Sequence, residues 1–161
     1  LRAEKSGWDR PVPAGRARGV AVNACFESFA AHMAELSVAA NGAVTVHKIV
    51  CAIDCGTAVY PDAIRAQAEG GAIMGLSTAL HERVRFENGG VKTLNYDDYP
   101  VVTMSEVPAI EVHIAESRLK AGGVGEPVLP SVAPAVANAI FKATGVRLRE
   151  MPFQRELLVK G

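Results

Sequence analysis

The sequence predicts an α+β fold: an antiparallel β-meander and hairpins packed with two main helices. Three observations carry this. Alternating or near-continuous apolar stretches at 19–27, 29–38 and 44–53 read as strands. Asn41-Gly42 between the last two is a strong hairpin signal. Apolar residues then recur at helical spacing from 61 to about 81, and again from about 131 to 144.

The elements follow in order. Residues 1–18 hold Trp8, Pro11, Pro13 and Gly15, and read as a short helix followed by an irregular segment. In the second strand His32, Ala34, Leu36 and Val38 share one face, and Met33, Glu35 and Ser37 the other. The third strand ends almost continuously apolar, which places it centrally in the sheet. Asp54-Cys55-Gly56 closes it, and Tyr60-Pro61-Asp62 opens a helix capped by Asp62 or the Pro61 turn. Ile64, Ala68, Ala72, Leu76 and Leu80 form its apolar stripe. Asn88-Gly89-Gly90 marks a second hairpin between 82–87 and 91–94. Residues 95–108 read as a long polar loop, and 110–115 as a strand. Ser131 is the N-cap expected for the last helix, Val132, Val136 and Ile140 its buried stripe, and Gly145 its stop. The alternating tail 146–153 predicts a last short strand.

Composition bounds the function. The 161 residues make one domain, 1–161, with 49% hydrophobic and 21% charged residues. Seventeen basic and 17 acidic residues cancel, and there is no basic run, so nothing favours a nucleic-acid partner. No apolar run is long enough to span a bilayer as a helix. The chain opens Leu1-Arg2-Ala3-Glu4-Lys5, without Met or an apolar signal region, and reads as a piece of something longer. Cys25, Cys51 and Cys55 read as small core residues rather than a disulfide framework.

Two features bear on chemistry. Ala121-Gly122-Gly123-Val124-Gly125-Glu126-Pro127 frees a stretch of backbone of Cβ atoms and ends in the only ionisable side chain between Lys120 and Lys142. Glu126 reads either as a base, its carboxyl perturbed by apolar neighbours, or as a plain acidic residue near a helix start. The second feature lies on the helix 61–81, where Gln67, Gly71 and Gly75 fall on one stripe. Each interior glycine costs about 1 kcal/mol against Ala, so something approaches that face closely. It is either another element of the chain or a ligand that the Gln67 amide hydrogen-bonds. Adjacent Asp97 and Asp98 point apart in extended chain and lack a third ligand, and His113 reads as a surface residue.

Taken together the segments form a collinear pattern. Gly123-Val124-Gly125-Glu126-Pro127, then 133–140 and 145–152, resemble the end of the molybdenum-binding large subunit of the xanthine oxidase / aldehyde oxidoreductase family. Asp54-Cys55-Gly56, Tyr60-Pro61 and Gln67-Ala68-Glu69-Gly70-Gly71 are similar to its Asp-x-Gly … Asn-Pro … Gln-x-x-Gly-Gly run, with Tyr60 departing from the usual Asn. The branch most resembled is the isoquinoline 1-oxidoreductase β-subunit, bacterial in character, and the sequence leaves open whether the compartment is cytoplasmic or periplasmic.

The resemblance implies a molybdenum held by a molybdopterin, in its cytosine dinucleotide form. It implies Glu126 as the base that deprotonates a water-derived hydroxide attacking an aldehyde or N-heteroaromatic carbon. It implies Gln67, Gly70, Gly71, Gly123, Val124 and Gly125 as cofactor-binding residues, with no protein side chain ligating the metal. The implied partners are the N-terminal remainder of the large subunit, an iron–sulfur small subunit that takes the electrons, and a small-molecule substrate. The family's large subunit is several times longer, so this chain alone is expected to be inactive. The alternative is a non-catalytic ligand-binding or structural fragment with a glycine loop at a helix N-terminus.

Overall fold

The computed structural model describes residues 3–115 and 117–159. A short helix α1 (Ala3–Ser6) precedes three long strands, β1 (Arg16–Cys25), β2 (Ser28–Val38) and β3 (Val44–Asp54). Helix α2 (Pro61–Leu80) follows, then the two-residue strands β4 (Phe86–Glu87) and β5 (Gly90–Val91), then β6 (Ala109–Ile114) and helix α3 (Val132–Thr144). Short 3-10 turns stand at Tyr96–Asp98 and Arg155–Leu158.

The main sheet has the order β1-β2-β3-β6. The meander β1–β2–β3 is antiparallel, with Val20 opposite Met33 and Met33 opposite Val50. Asn41-Gly42 makes the expected turn, with Gly42 at φ 79° and the Asn41 side chain accepting from the Ala43 N–H at 3.1 Å. The last strand pairs differently from the meander. β6 runs parallel to β3, from Lys48 opposite Ala109 to Ile53 opposite Ile114. Helix α2 and the long loop after it carry the chain back to the starting edge of β3, which a parallel pairing requires. With partners on both sides, β3 is the interior strand its apolar run predicts, and Ile49, Val50 and Cys51 are fully buried.

Both long helices lie on one face of this sheet. α3 packs on β1 and β2, α2 on β6 and β3, and the helices touch each other. Ala34, Leu36 and Ile49 of the sheet meet Leu76, Val136 and Ile140 of the helices in the main core. A second cluster joins Ala30, Cys51 and Ile53 to Ile64, Ala68 and Val128.

Several local expectations are corrected. The helix α2 has no side-chain cap: Tyr60 occupies the N-cap and Asp62 pairs instead with Arg65 at 2.8 Å. Ser131 sits at the N-cap of α3, but its hydroxyl makes no capping bond because His32 takes it. The tail 146–153 forms no strand. Val146 and Leu148 pack on the core while Arg147 and Arg149 face water, so the alternation reports burial without a pairing edge. The β1–β2 turn lies at Phe26-Glu27, both residues at positive φ (50° and 59°), one position before the break expected from sequence.

Candidate active site

The segment 117–131 joins β6 to α3 without regular structure, and the sheet side of the molecule stitches it down. Its backbone is held by Leu119, whose carbonyl accepts from Thr57 N at 2.9 Å, and by Gly122, whose N–H donates to Cys55 O at 2.9 Å. Gly123 is tied twice. Its N–H donates to Phe26 O at 2.8 Å, and its carbonyl accepts from Ser28 Oγ at 2.6 Å. A Cβ on Gly122 would lie 2.5 Å from that Ser28 Oγ and 2.6 Å from Glu27 O, so only glycine fits against the turn.

The far half of the segment is anchored on α2. Pro127 and Val128 are fully buried, and Val124 and Val128 both join the second core cluster. A Cβ on Gly71 would meet Val128 Cγ2 at 2.5 Å, and one on Gly75 would meet Val132 Cβ at 2.8 Å and Leu129 O at 2.9 Å. The close approach inferred from glycines inside a helix is therefore made by the chain itself. Val128 and Val132 fill the contact between the Gly71–Gly75 stripe and the loop.

Beside this packed seam the remaining site residues open outward. Gln67, Gly70, Gly123, Gly125 and Glu126 are exposed, and Val124 is half-buried. The Gln67 Nε2 lies 3.6 Å from where a Gly125 Cβ would stand, so helix and loop meet there across a bare backbone. A Cβ on Gly70 would meet nothing within 4 Å. Among the described residues neither the Gln67 amide nor the Glu126 carboxylate has a hydrogen-bond or ion-pair partner. The apolar neighbours expected to bury Glu126 turn the other way: Pro127 and Val128 point into the core and leave the carboxylate in solvent. Six residues separate Gly125 from Val132, the first residue of α3, so the glycines do not form that helix's N-terminus.

Three side chains that sequence reading passed over support the loop from β1 and β2. They are Ser28, Asn23, whose Nδ2 donates to Pro127 O at 3.2 Å, and His32, whose Nδ1 shares a hydrogen with Ser131 Oγ at 2.8 Å. His32 is fully buried and its Nε2 has no partner. Burial pushes its imidazole from 6.5 down to about 4, so the ring is neutral. The signal for His32 was present as a polar residue on the apolar face of a strand. Its cross-strand neighbour Cys51 is also buried, which pushes that thiol up to about 12, and burial raises Cys55 as well. All three cysteines are free, and Cys25 is only half-buried.

Elsewhere, a cavity of about 500 Å³ lies between Trp8, Val12, Val38 and Lys142. It flanks Arg16 at the start of β1, ~30 Å along the strand from the Cys25 end that touches the glycine loop. It belongs to a different part of the surface. Among the described residues no group of three His, Cys, Asp or Glu side chains is placed to hold a metal ion.

The Gln67 amide thus lies beside the bare backbone of Gly125, one residue before the exposed Glu126. Comparison with known proteins identifies the family. A family model described as "Molybdopterin cofactor-binding domain" matches residues 3–108. The isoquinoline 1-oxidoreductase subunit beta of Brevundimonas diminuta is 37% identical over 96% of this chain and 20% of its own length. A membrane-bound aldehyde dehydrogenase of Gluconacetobacter polyoxogenes, whose name specifies pyrroloquinoline quinone, is 35% identical over 98% of this chain and 21% of its own length. The structure of quinoline 2-oxidoreductase from Pseudomonas putida 86 superposes with a TM-score of 0.74 at 25% identity, over 81% of this chain and 18% of that one. The chain belongs to the molybdopterin cofactor-binding domain family. It spans about a fifth of the length of these curated relatives.

Proposed function

We propose that the chain is the C-terminal part of the large subunit of a molybdenum hydroxylase. In this reading Glu126 is the general base, and water supplies the oxygen placed on an aldehyde or N-heteroaromatic carbon. The observation that carries it is the meeting of Gln67 with Gly125, the residue before the exposed Glu126, from segments about sixty residues apart in sequence. The residues fit the group. The Gln67 amide offers a free donor and acceptor, Gly70 leaves open space, and Gly123, Val124 and Gly125 offer backbone that small side chains leave accessible. Gly71 contributes indirectly, by letting Val128 seat the loop.

When bound, the molybdenum–pterin group, in its cytosine dinucleotide form, supplies the two-electron oxidant for the carbon being hydroxylated. This chain's part is proton handling and placement. Glu126 takes the proton from the attacking water-derived oxygen, and Gln67 and the glycine backbone orient that chemistry relative to the carboxylate. A carboxylate becomes a stronger base when enclosed. Glu126 is exposed here, so the rest of the subunit supplies the enclosure. The electrons leave through iron–sulfur clusters of a partner subunit. Family membership through residues 3–108 favours molybdopterin over the quinone in one relative's name.

The test is Glu126→Gln in the full-length, cofactor-loaded subunit with its iron–sulfur partner. Loss of the base should lower kcat by about 100-fold or more at unchanged molybdenum content. Product formed in ¹⁸O-labelled water should carry the label. Near-full turnover by the variant would remove Glu126 from the base role.

A further inference from the structure

The glycine-rich loop is intrinsically loose, since glycine backbone gives up the most freedom when it is fixed. A base carried on such a loop acts at full rate only where something else holds it. Misplacement by about 1 Å costs on the order of 100-fold in rate.

Three polar side chains stand in a row on the helix-side face of the β1–β2 hairpin. Asn23 lies opposite Ala30, Ser28 opposite Cys25 and His32 opposite Ala21, which puts all three on the same face. Each reaches into the loop at a different point. Ser28 holds the Gly123 carbonyl at 2.6 Å, three residues before Glu126. Asn23 holds the Pro127 carbonyl at 3.2 Å, the residue directly after it. His32 holds the Ser131 hydroxyl at 2.8 Å, at the start of α3. The contacts therefore bracket Glu126 on both sides. The strand ladder needs none of these side chains, and Ser28 and His32 are buried at 1% and 0% exposure among apolar neighbours. Burying polar groups costs stability unless they are hydrogen-bonded, and for Ser28 and His32 the partner is the loop, while Asn23 divides its Nδ2 between Pro127 O and Cys25 Sγ at 3.1 Å.

We propose that Asn23, Ser28 and His32 are positioning residues that hold the Glu126 loop in register with Gln67. The proposal rests on the reading of Glu126 as the base, and the experiment separates the two. Ser28→Ala and Asn23→Ala are made in the full-length holoenzyme, each alone and in the Glu126→Gln background, with molybdenum content measured in all. Each single variant is expected to lower kcat about tenfold with little change in KM. In the Glu126→Gln background the same substitutions should have no further effect, because they act through a carboxylate that is gone. Hydrogen exchange of the peptide spanning 121–127 should also accelerate in Ser28→Ala. A tenfold loss that persists in the Glu126→Gln background would overturn the positioning role and leave the base intact. Full activity of Glu126→Gln itself would instead overturn the base. Asn23 is only half-buried, so Asn23→Ala carries the test where Ser28→Ala fails to fold. Wild-type kcat in the folded single variants refutes the proposal.

Discussion

His32 and Glu35 lie three residues apart on β2, both buried, and burial treats them oppositely. Burial strips water from the His32 imidazolium, and no carboxylate replaces it, so the pKa falls to about 4. Burial alone would raise the Glu35 carboxyl. Arg16 and Arg18, at 2.9 and 2.7 Å, outweigh it and hold the carboxyl below its usual range. The pH windows follow. The unfolded chain protonates His32 at the ordinary 6.5 and the folded chain only at about 4. Stability is therefore full above 6.5 and declines as pH falls to 4. The total loss is about 3 kcal/mol at about 1.4 kcal/mol per unit. The Glu35 contribution is present above 4.5 and is lost only as pH falls through its lowered pKa. Urea midpoints of wild type and His32→Asn across pH 7 to 4 isolate the histidine: the wild-type curve should drop and the variant should lose most of that slope. Parallel curves would show that the ring is not held neutral. Alternation already put His32 on the apolar face with Ala34 and Leu36. Its partner was not readable, because Ser131 lies 99 residues away and no local pattern joins them.

At the scale of elements, the helix α2 makes the same distinction. The glycines at 71 and 75 were readable as a cost that something must offset. Whether a ligand or the chain did so was not, since a Cβ-free stripe admits either. The structure fills it with Val128, Leu129 and Val132, and leaves Gly70 open. This predicts opposite signs for one substitution on one helix. Gly70→Ala gains helix propensity at no steric cost and should stabilise by up to about 1 kcal/mol. Gly75→Ala gains the same propensity but drives a methyl to within 3 Å of Val132 Cβ and of the Leu129 carbonyl. Overpacking of this kind costs ~1–3 kcal/mol, so the net change is destabilising. Denaturant unfolding of the two variants decides it, and a gain at position 75 would refute the packed seam. The tail 146–153 gives the complementary lesson. Its period of two is real, but period two reports only which side chains are buried; a strand also needs a neighbour's free edge.

At the scale of the whole molecule, the meander and both long helices were readable because each is specified by contiguous residues: Asn41-Gly42 for the turn, Pro61 for a start, Gly145 for a stop. The parallel docking of β6 was not, because it depends on where α2 and the loop after it set the chain down. The layering has a further consequence. With both helices on one face, the other face of the sheet carries Val20, Val22 and Phe29, and Val22 and Phe29 are 72% and 57% exposed. Phe26 adds 61% at the turn that grips the glycine loop. Contiguous apolar surface of this kind drives association unless charge opposes it. The formal net charge is zero and the sequence pI about 7.1, so net repulsion between chains is at its weakest near neutral pH. The 161-residue chain is therefore expected to self-associate near pH 7 and to bind an apolar dye. It should disperse as pH moves away from neutrality while the fold persists. Replacing Val22 and Phe29 by Lys removes the apolar surface and adds charge, and should give a monomer at pH 7 with the same circular dichroism. Light scattering across pH 6 to 9 measures this directly. A wild-type chain that stays monomeric and dye-free at its pI would mean that this face is not sticky.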